Sequence, residues 1–258
     1  MGFAADWLAL REPADGAARD AALLERAAEV AGPVPVILDL GCGTGSTTRA
    51  MADLLPEGTR WRLLDGDPLL LERAREATTA EADFILQDLS DVDALPLEDV
   101  TLVTASALLD LVSEDWVAAF AKRLNVPFYA ALSYDGAMHW APENPADREI
   151  NVFFNRHQRS DKGIGRALGP DAGPRTAAIF KSAGFDVTLA QSPWDLGPDM
   201  APLQTLLNDG IASAAEEAGL SDAPKWADHR RKAAEHGRTR VGHVDLLALP
   251  DTRFQKTS

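Results

Sequence analysis

From Val36 to Leu55 the chain reads VILDLGCGTGSTTRAMADLL: an apolar run, an acid, three glycines at alternate positions, then Ala50, Met51, Leu54 and Leu55 on helical spacing. A strand that becomes a helix through Gly41, Gly43 and Gly45 has a bare backbone at the turn. Glycine there admits φ values other residues avoid and lets a ligand approach the chain itself. The unit recurs downstream. RWRLLD reads as a second strand, and DPLLLERAREA as a helix with Asp67 as N-cap and Pro68 at its first position. ADFILQD and DVTLVTA read as strands three and four. SEDWVAAFAKRL reads as a helix capped by Ser113, with Glu114 and Asp115 near its positive end. VPFYAALS is a fifth strand, DAGPRTAAIFKSAG a helix closed by Gly184, FDVTLAQ a sixth strand, and VGHVDLLAL a last one stopping at Pro250. Strands alternating with helices predict an α/β fold: a doubly wound, Rossmann-like seven-stranded sheet, parallel and covered on both faces.

Three segments break the alternation: residues 1–31, 134–170 and 193–240. The first carries helical spacing in ARDAALLERAAEVAG. The second is rich in Pro, Asn, His and Gly, and the third holds MAPLQTLLNDGIASAAEEAG, a helix ending at Gly219. All three are assigned to helical cap segments over the carboxyl edge of the sheet, where open α/β folds bind ligands. The predicted division is a helical cap at 1–33, a core at 34–133, a cap and acceptor segment at 134–170, and the rest of the core at 171–258 with a helical insertion at 193–240. The middle segment shows no continuous apolar face, so ligand rather than its own core is expected to order it.

Composition narrows the function. A hydrophobic fraction of 46% with 25% charged residues is that of a soluble globular protein. No apolar run approaches the roughly 18 residues of a membrane span, and Asp6, Arg11 and Glu12 interrupt any secretory apolar stretch, so a cytoplasmic location is expected. A single cysteine excludes an intrachain disulfide and a cysteine-cluster metal site, and no metal is expected. A net charge of −15 repels phosphate backbones, which argues against a nucleic-acid partner. The basic run KWADHRRKAAEHGRTR is read as a solvated helix face.

The glycine turn is neither G-x-G-x-x-G nor a phosphate loop ending in Gly-Lys-Ser/Thr. Its pattern is Asp39-x-Gly41-x-Gly43-x-Gly45, and an acid at that edge would oppose a pyrophosphate but suit a positively charged ligand. Here the chain resembles the class I S-adenosylmethionine-dependent methyltransferases, whose first motif LDLGCGTG matches nearly letter for letter. The resemblance covers residues from about 34 to 133. It implies S-adenosyl-L-methionine as cofactor, cradled by Gly41, Cys42, Gly43 and Gly45, with Asp39 organising the ammonium group directly or through water. It also implies Asp65 and Gly66 at the ribose hydroxyls, Asp88 at the adenine amino group beside the backbone of Leu89, and Thr104 and Ala105 at the methionine end. Any one of these acids could instead cap a helix. Cys42 has no neighbouring base to activate it and is expected to pack as a small residue.

Methyl transfer from a sulfonium needs the nucleophile and methyl held in line and water excluded, and a base only if the acceptor is a hydroxyl or an ammonium. The polar cap segment supplies the candidates: His157 and Tyr134 for catalysis, and His139, Asn155, Arg159 and Lys162 for the acceptor, with Arg159 and Lys162 able to pair with a carboxylate or phosphate. Trp7, Arg11 and Asp15, spaced near four, place one face of a first helix over the cofactor. Strand four lacks the Asn/Asp-Pro-Pro-Tyr/Phe signature of methyltransferases acting on adenine, cytosine or glutamine nitrogen. A small-molecule acceptor under the cap is therefore expected. Three other readings stay open: an NAD-dependent oxidoreductase, an aminopropyl transferase, and a non-catalytic binding module on the same fold.

Overall fold

In the computed structural model, which describes residues 5–251, the predicted alternation is the observed one. Helices α1 (Ala5–Ala18) and α2 (Ala21–Val30) precede β1 (Val36–Leu40), α3 (Ser46–Met51), β2 (Arg60–Asp65), α4 (Pro68–Ala77), β3 (Glu81–Leu86), β4 (Leu102–Ser106), α5 (Glu114–Arg123) and β5 (Phe128–Ala141). Then come α6 (Asp147–Gln158), α7 (Ala172–Ser182), β6 (Phe185–Gln191), β7 (Trp194–Leu196), α8 (Ala201–Glu217), α9 (Ala223–Ala233) and β8 (Arg238–Pro250). The sheet order is β3-β2-β1-β4-β5-β8-β6, with β7 paired to β8. This is the doubly wound α/β sheet, with eight strands instead of seven because three-residue β7 joins the edge of β8.

The sheet is not wholly parallel. Strands β1 to β5 pair in parallel, whereas β8 runs antiparallel to β5, β6 and β7. β8 and its neighbours thereby depart from the predicted parallel sheet, and the β5·β8 ribbon runs past β4 and β6 at the end where Ala141 pairs with Arg238. β5 also runs well beyond Ser133, so Tyr134 and His139 lie on a strand rather than in a connector. Register shifts between Ala130 and Ser133 and between Tyr134 and Met138 mark the bends that carry it onward, and Gly136 at φ 90° sits in the second.

Local signals act as read. Asp67 Oδ1 accepts from Leu69 N at 2.8 Å, and Ser113 Oγ from Trp116 N at 3.2 Å. Gly219, at φ 107°, closes α8 while its amide donates to Glu216 O at 2.8 Å and Leu220 N to Ala215 O at 3.0 Å. Every residue of β1 is buried, as a central parallel strand requires. Leu38 and Leu40 face one core with Phe120, Phe128 and Phe180, and Ile37 faces the other with Met51, Trp61 and Tyr129.

A third core joins the three irregular segments. Tyr134, Met138 and Trp140 of β5, Ile150 of α6, Trp194 of β7, Leu203 and Ile211 of α8, Trp226 of α9 and Ala14 of α1 form one buried cluster. Phe153 and Phe154 pack against it, so α6 does present an apolar stripe, Ile150–Phe153–Phe154 at i, i+3 and i+4, contrary to the sequence expectation. The basic run also differs from its reading. Arg230 is buried, paired with Asp147, donating to Pro142 O at 2.7 Å and lying 5.5 Å over Trp140 and 5.6 Å over Trp226. One residue's step around the helix decides the matter: Arg230 faces the buried cluster, while Arg231 faces outward to Asp209 and Asp228. No helix among the described residues is long and apolar enough to cross a membrane.

Candidate functional site

The carboxyl ends of β1 to β4 open onto a cleft of about 750 Å³. Its floor is the glycine turn, where Gly41 and Gly43 line the cleft and Gly45 does not, capping α3 instead; their φ values are 65°, 56° and 81°. These are left-handed values natural to glycine, and a Cβ on Gly43 would stand 3.2 Å from Leu8 Cδ1 of α1. Asp65, at the end of β2, holds the turn: Oδ2 accepts from Gly43 N at 2.8 Å, and Oδ1 from Asp67 N at 2.9 Å. Gly66, Asp88 and Leu89 line the same cleft. Asp88 Oδ1 accepts from Ser90 N at 2.7 Å, and the Leu89 carbonyl from Trp116 Nε1 at 2.6 Å.

Asp39 lies beneath the turn. Only 1% exposed, it accepts from Thr104 Oγ1 at 2.7 Å across the β1·β4 register, while its Oδ2 has no partner. Burial pushes its pKa up to about 6, against the lowering effects of the Thr104 bond, the Arg19 guanidinium and Thr47. Arg19 in turn donates to Ser106 Oγ at 3.1 Å. The Thr104 side chain is thus committed to Asp39, and Thr104 and Ala105 are buried; the wall at the end of β4 is made by Ser106, Ala107 and Leu108. Cys42 lines the cleft, and burial, reinforced by the Asp39 and Asp65 charges, pushes its thiol far above the reactive range.

The cap-side candidates separate. Lys162 lines the cleft with Gly163 and Ile164, as do Arg11 and Asp15 of α1. Arg11 clasps Asp15 through Nε at 2.9 Å and Nη2 at 3.0 Å. Trp7 of that face packs against the cap core instead. His157 stands behind Lys162: its Nδ1 is 3.1 Å from Lys162 Nζ and its Nε2 3.2 Å from Glu217 Oε2. The Tyr134 hydroxyl donates to Asn155 Oδ1 at 2.8 Å, and burial pushes its pKa well above the usual phenol range. His139 is exposed on β5, opposite Arg240 of β8. Arg159 donates to Asp171 Oδ2 at 2.9 Å and lines a separate groove. The cleft lining therefore takes Lys162 from this group and leaves His157, Tyr134, His139, Asn155 and Arg159 outside it.

Sequence reasoning passed over Asp110 and His243. Asp110 is buried at the turn after β4, where burial pushes its pKa up to about 6. His243 of β8 is packed 5.2 Å from the Trp194 ring, and burial pulls its pKa down to about 3. Neither lies in a motif, and only burial sets them apart from surface acids and histidines. Among the described residues no three His, Cys, Asp or Glu side chains gather as a metal site.

Comparison with known proteins places this geometry. Residues 37–126 match the model of a methyltransferase domain. A protein from Bacillus halodurans C-125 assigned as a methyltransferase superposes with a TM-score of 0.55 at 14% identity, covering 90% of this chain and 99% of its own. A protein from Anaeromyxobacter dehalogenans assigned as a type II methyltransferase gives 0.56 at 17% identity, covering 90% and 97%. At such identities the likeness is one of fold. Among curated proteins none matches the chain. The domain match over β1 to α5, on a fold shared with these neighbours, makes residues 37–126 similar to a methyltransferase domain.

Proposed function

We propose that the protein transfers a methyl group from S-adenosyl-L-methionine to a small-molecule acceptor bound under the cap. The observation that carries the reading is the joint opening of Gly43, Asp65 and Asp88 onto one cleft at the strand ends. The residues fit the cofactor on two counts. The turn has positive φ at all three glycines, and a β-carbon at Gly43 would crowd Leu8 at 3.2 Å. The Asp65 carboxylate spends one acceptor site per oxygen on the backbone and keeps another on each for two ribose hydroxyls. Asp88 would take the adenine amino group, and Asp39, with Oδ2 unpartnered beneath the turn, would attract the ammonium group.

The cofactor supplies an electrophilic methyl group. The chain's part is to hold and to shield: α1 and the segment around Lys162 close opposite sides of the cleft, which restricts water and aligns the acceptor. The acidic charge of −15 and the private cap core support a small acceptor over a nucleic acid. The reading is tested by calorimetry with S-adenosylmethionine and S-adenosylhomocysteine, followed by transfer of labelled methyl into the fractions of a cell extract. Saturable binding with label in the small-molecule fraction is expected. Absence of binding would remove the cofactor, and label in protein or nucleic acid would remove the acceptor class.

A further inference from the structure

The acceptor end of the cleft is rich in hydrogen-bond donors and poor in acceptors. Asp15 is the carboxylate lining it, and both its oxygens are occupied: Oδ2 by Arg11 Nε at 2.9 Å, and Oδ1 by Arg11 Nη2 and Trp194 Nε1, each at 3.0 Å. Arg11 keeps guanidinium N–H groups beyond the two that it gives to Asp15. Lys162, facing it, spends one of three N–H donors on the Nδ1 of His157 at 3.1 Å. An ammonium group has only donors, so this contact casts Nδ1 as the acceptor and leaves Nε2 to carry the N–H toward Glu217 Oε2 at 3.2 Å. The ammonium group thus rests on a ring nitrogen rather than on a carboxylate. Among the described residues no carboxylate stands at ion-pair distance from it; burial lowers its pKa, and the Glu217 and Asp110 charges oppose that from farther away. Partial burial of such a cation is unfavourable until an anion meets it. The other carboxylates of the cleft, Asp65, Asp67 and Asp88, stand at the ends of β2 and β3, where the proposed function puts the nucleoside.

We infer that the methyl acceptor is an anion, carrying a carboxylate that docks on Lys162 with Arg11 as the second donor. The inference rests on the proposed methyltransferase reading and deepens it by naming the acceptor's chemical class. His157 and Glu217 have a positioning role, because the His157 tautomer set by Glu217 directs the Lys162 ammonium into the cleft. Arg159, the other cation considered for this task, is spent on Asp171 in a different groove.

The test uses the intact protein and three matched probes: benzoate, benzamide and benzylamine. Each is titrated calorimetrically with and without saturating S-adenosylhomocysteine. Benzoate is expected to bind at least tenfold more tightly than either neutral or cationic probe. Lys162→Met should abolish that preference, Lys162→Arg should retain most of it, and S-adenosylhomocysteine affinity should stay within twofold in both variants. A lack of benzoate preference, or a preference that survives in Lys162→Met, overturns the inference. So does a large loss of S-adenosylhomocysteine affinity in Lys162→Met, which would assign the lysine to the cofactor's own carboxylate. Failure of S-adenosylhomocysteine to bind wild-type protein brings down the cofactor reading separately, and the benzoate comparison on the free protein is then judged by itself.

Discussion

Replacing Asp65 with Ala tests the cofactor assignment at its most exposed joint. The carboxylate now joins Gly43 N at 2.8 Å to Asp67 N at 2.9 Å, and in the proposed complex it would also accept from two ribose hydroxyls. Hydrogen bonds to a charged group contribute roughly 1.5–3 kcal/mol each when well shielded. Asp65 is only half-buried and each hydroxyl must leave water, so about 2 kcal/mol for the pair is the reasonable sum. That corresponds to about thirtyfold weaker binding. Folding should suffer by no more than about 1 kcal/mol, because the released amides stand where water reaches them. Asp65→Asn should be no milder: one of its two ends becomes N–H and must face the N–H of Gly43 or Asp67, so it either repels the turn or rotates away. The assay is calorimetric titration of S-adenosylhomocysteine into wild type and both variants, with urea unfolding as the control. A 2′-deoxy analogue should lose less than the parent ligand on mutation, since one of the hydroxyls is already gone. Affinities within threefold of wild type in both folded variants would refute the argument.

Gly43→Val should abolish S-adenosylhomocysteine binding while leaving the circular dichroism spectrum native, since it adds bulk toward Leu8 at a φ of 56°. Wild-type affinity would mean the turn serves the fold alone. Arg230→Met should cost about 3 kcal/mol by leaving Asp147 without its buried partner, read by urea unfolding with tryptophan fluorescence. A loss under about 1 kcal/mol would mean that water replaces the arginine. His243, held near 3, is neutral in the fold but protonates near 6.5 when unfolded, so its contribution is present above pH 6.5 and is lost as pH falls toward 3. Wild type should therefore lose about 3 kcal/mol more than His243→Leu between pH 7 and pH 4, with the opposing contributions of Asp39 and Asp110 cancelling in the comparison. Equal losses would show that His243 titrates normally.

How far the sequence could be read follows the distance over which each feature is specified. β2 and β6 were delimited to the residue, RWRLLD and FDVTLAQ, because an apolar run bounded by an acid or a glycine is a local signal. The extension of β5 was hidden because Asp135 and Gly136 interrupt its pattern, and only pairing with β8 makes SYDGAMHW a strand. Three residues of β7 carry no periodicity at all, and they become a strand through Val241, Arg240 and Thr239. The stripe on α6 was readable in principle. Ile150, Phe153 and Phe154 have helical spacing, but the surrounding Arg, Asn and His masked it in a judgement made on composition.

The candidate site divides along the same line. The end proposed for the nucleoside is built by consecutive strand–turn units, so Gly43, Asp65 and Asp88 each announce themselves in a short motif, and Asp65 reaches back only to the turn one unit earlier. The acceptor end has no such contiguity. Asp15 is fixed by Trp194, 179 positions away, and His157 by Glu217, 60 positions away. Read alone, His157 was the natural base, since an imidazole titrates near neutrality. Its ring is instead occupied on both sides, and the cleft receives the lysine that the ring supports. A functional group's type can be read from one position, but whether it reaches the cleft depends on what holds its other face. For Lys162, that face is His157 backed by Glu217, and the charge proposed to meet an acceptor is left uncancelled because an imidazole stands where a carboxylate would have paired with it.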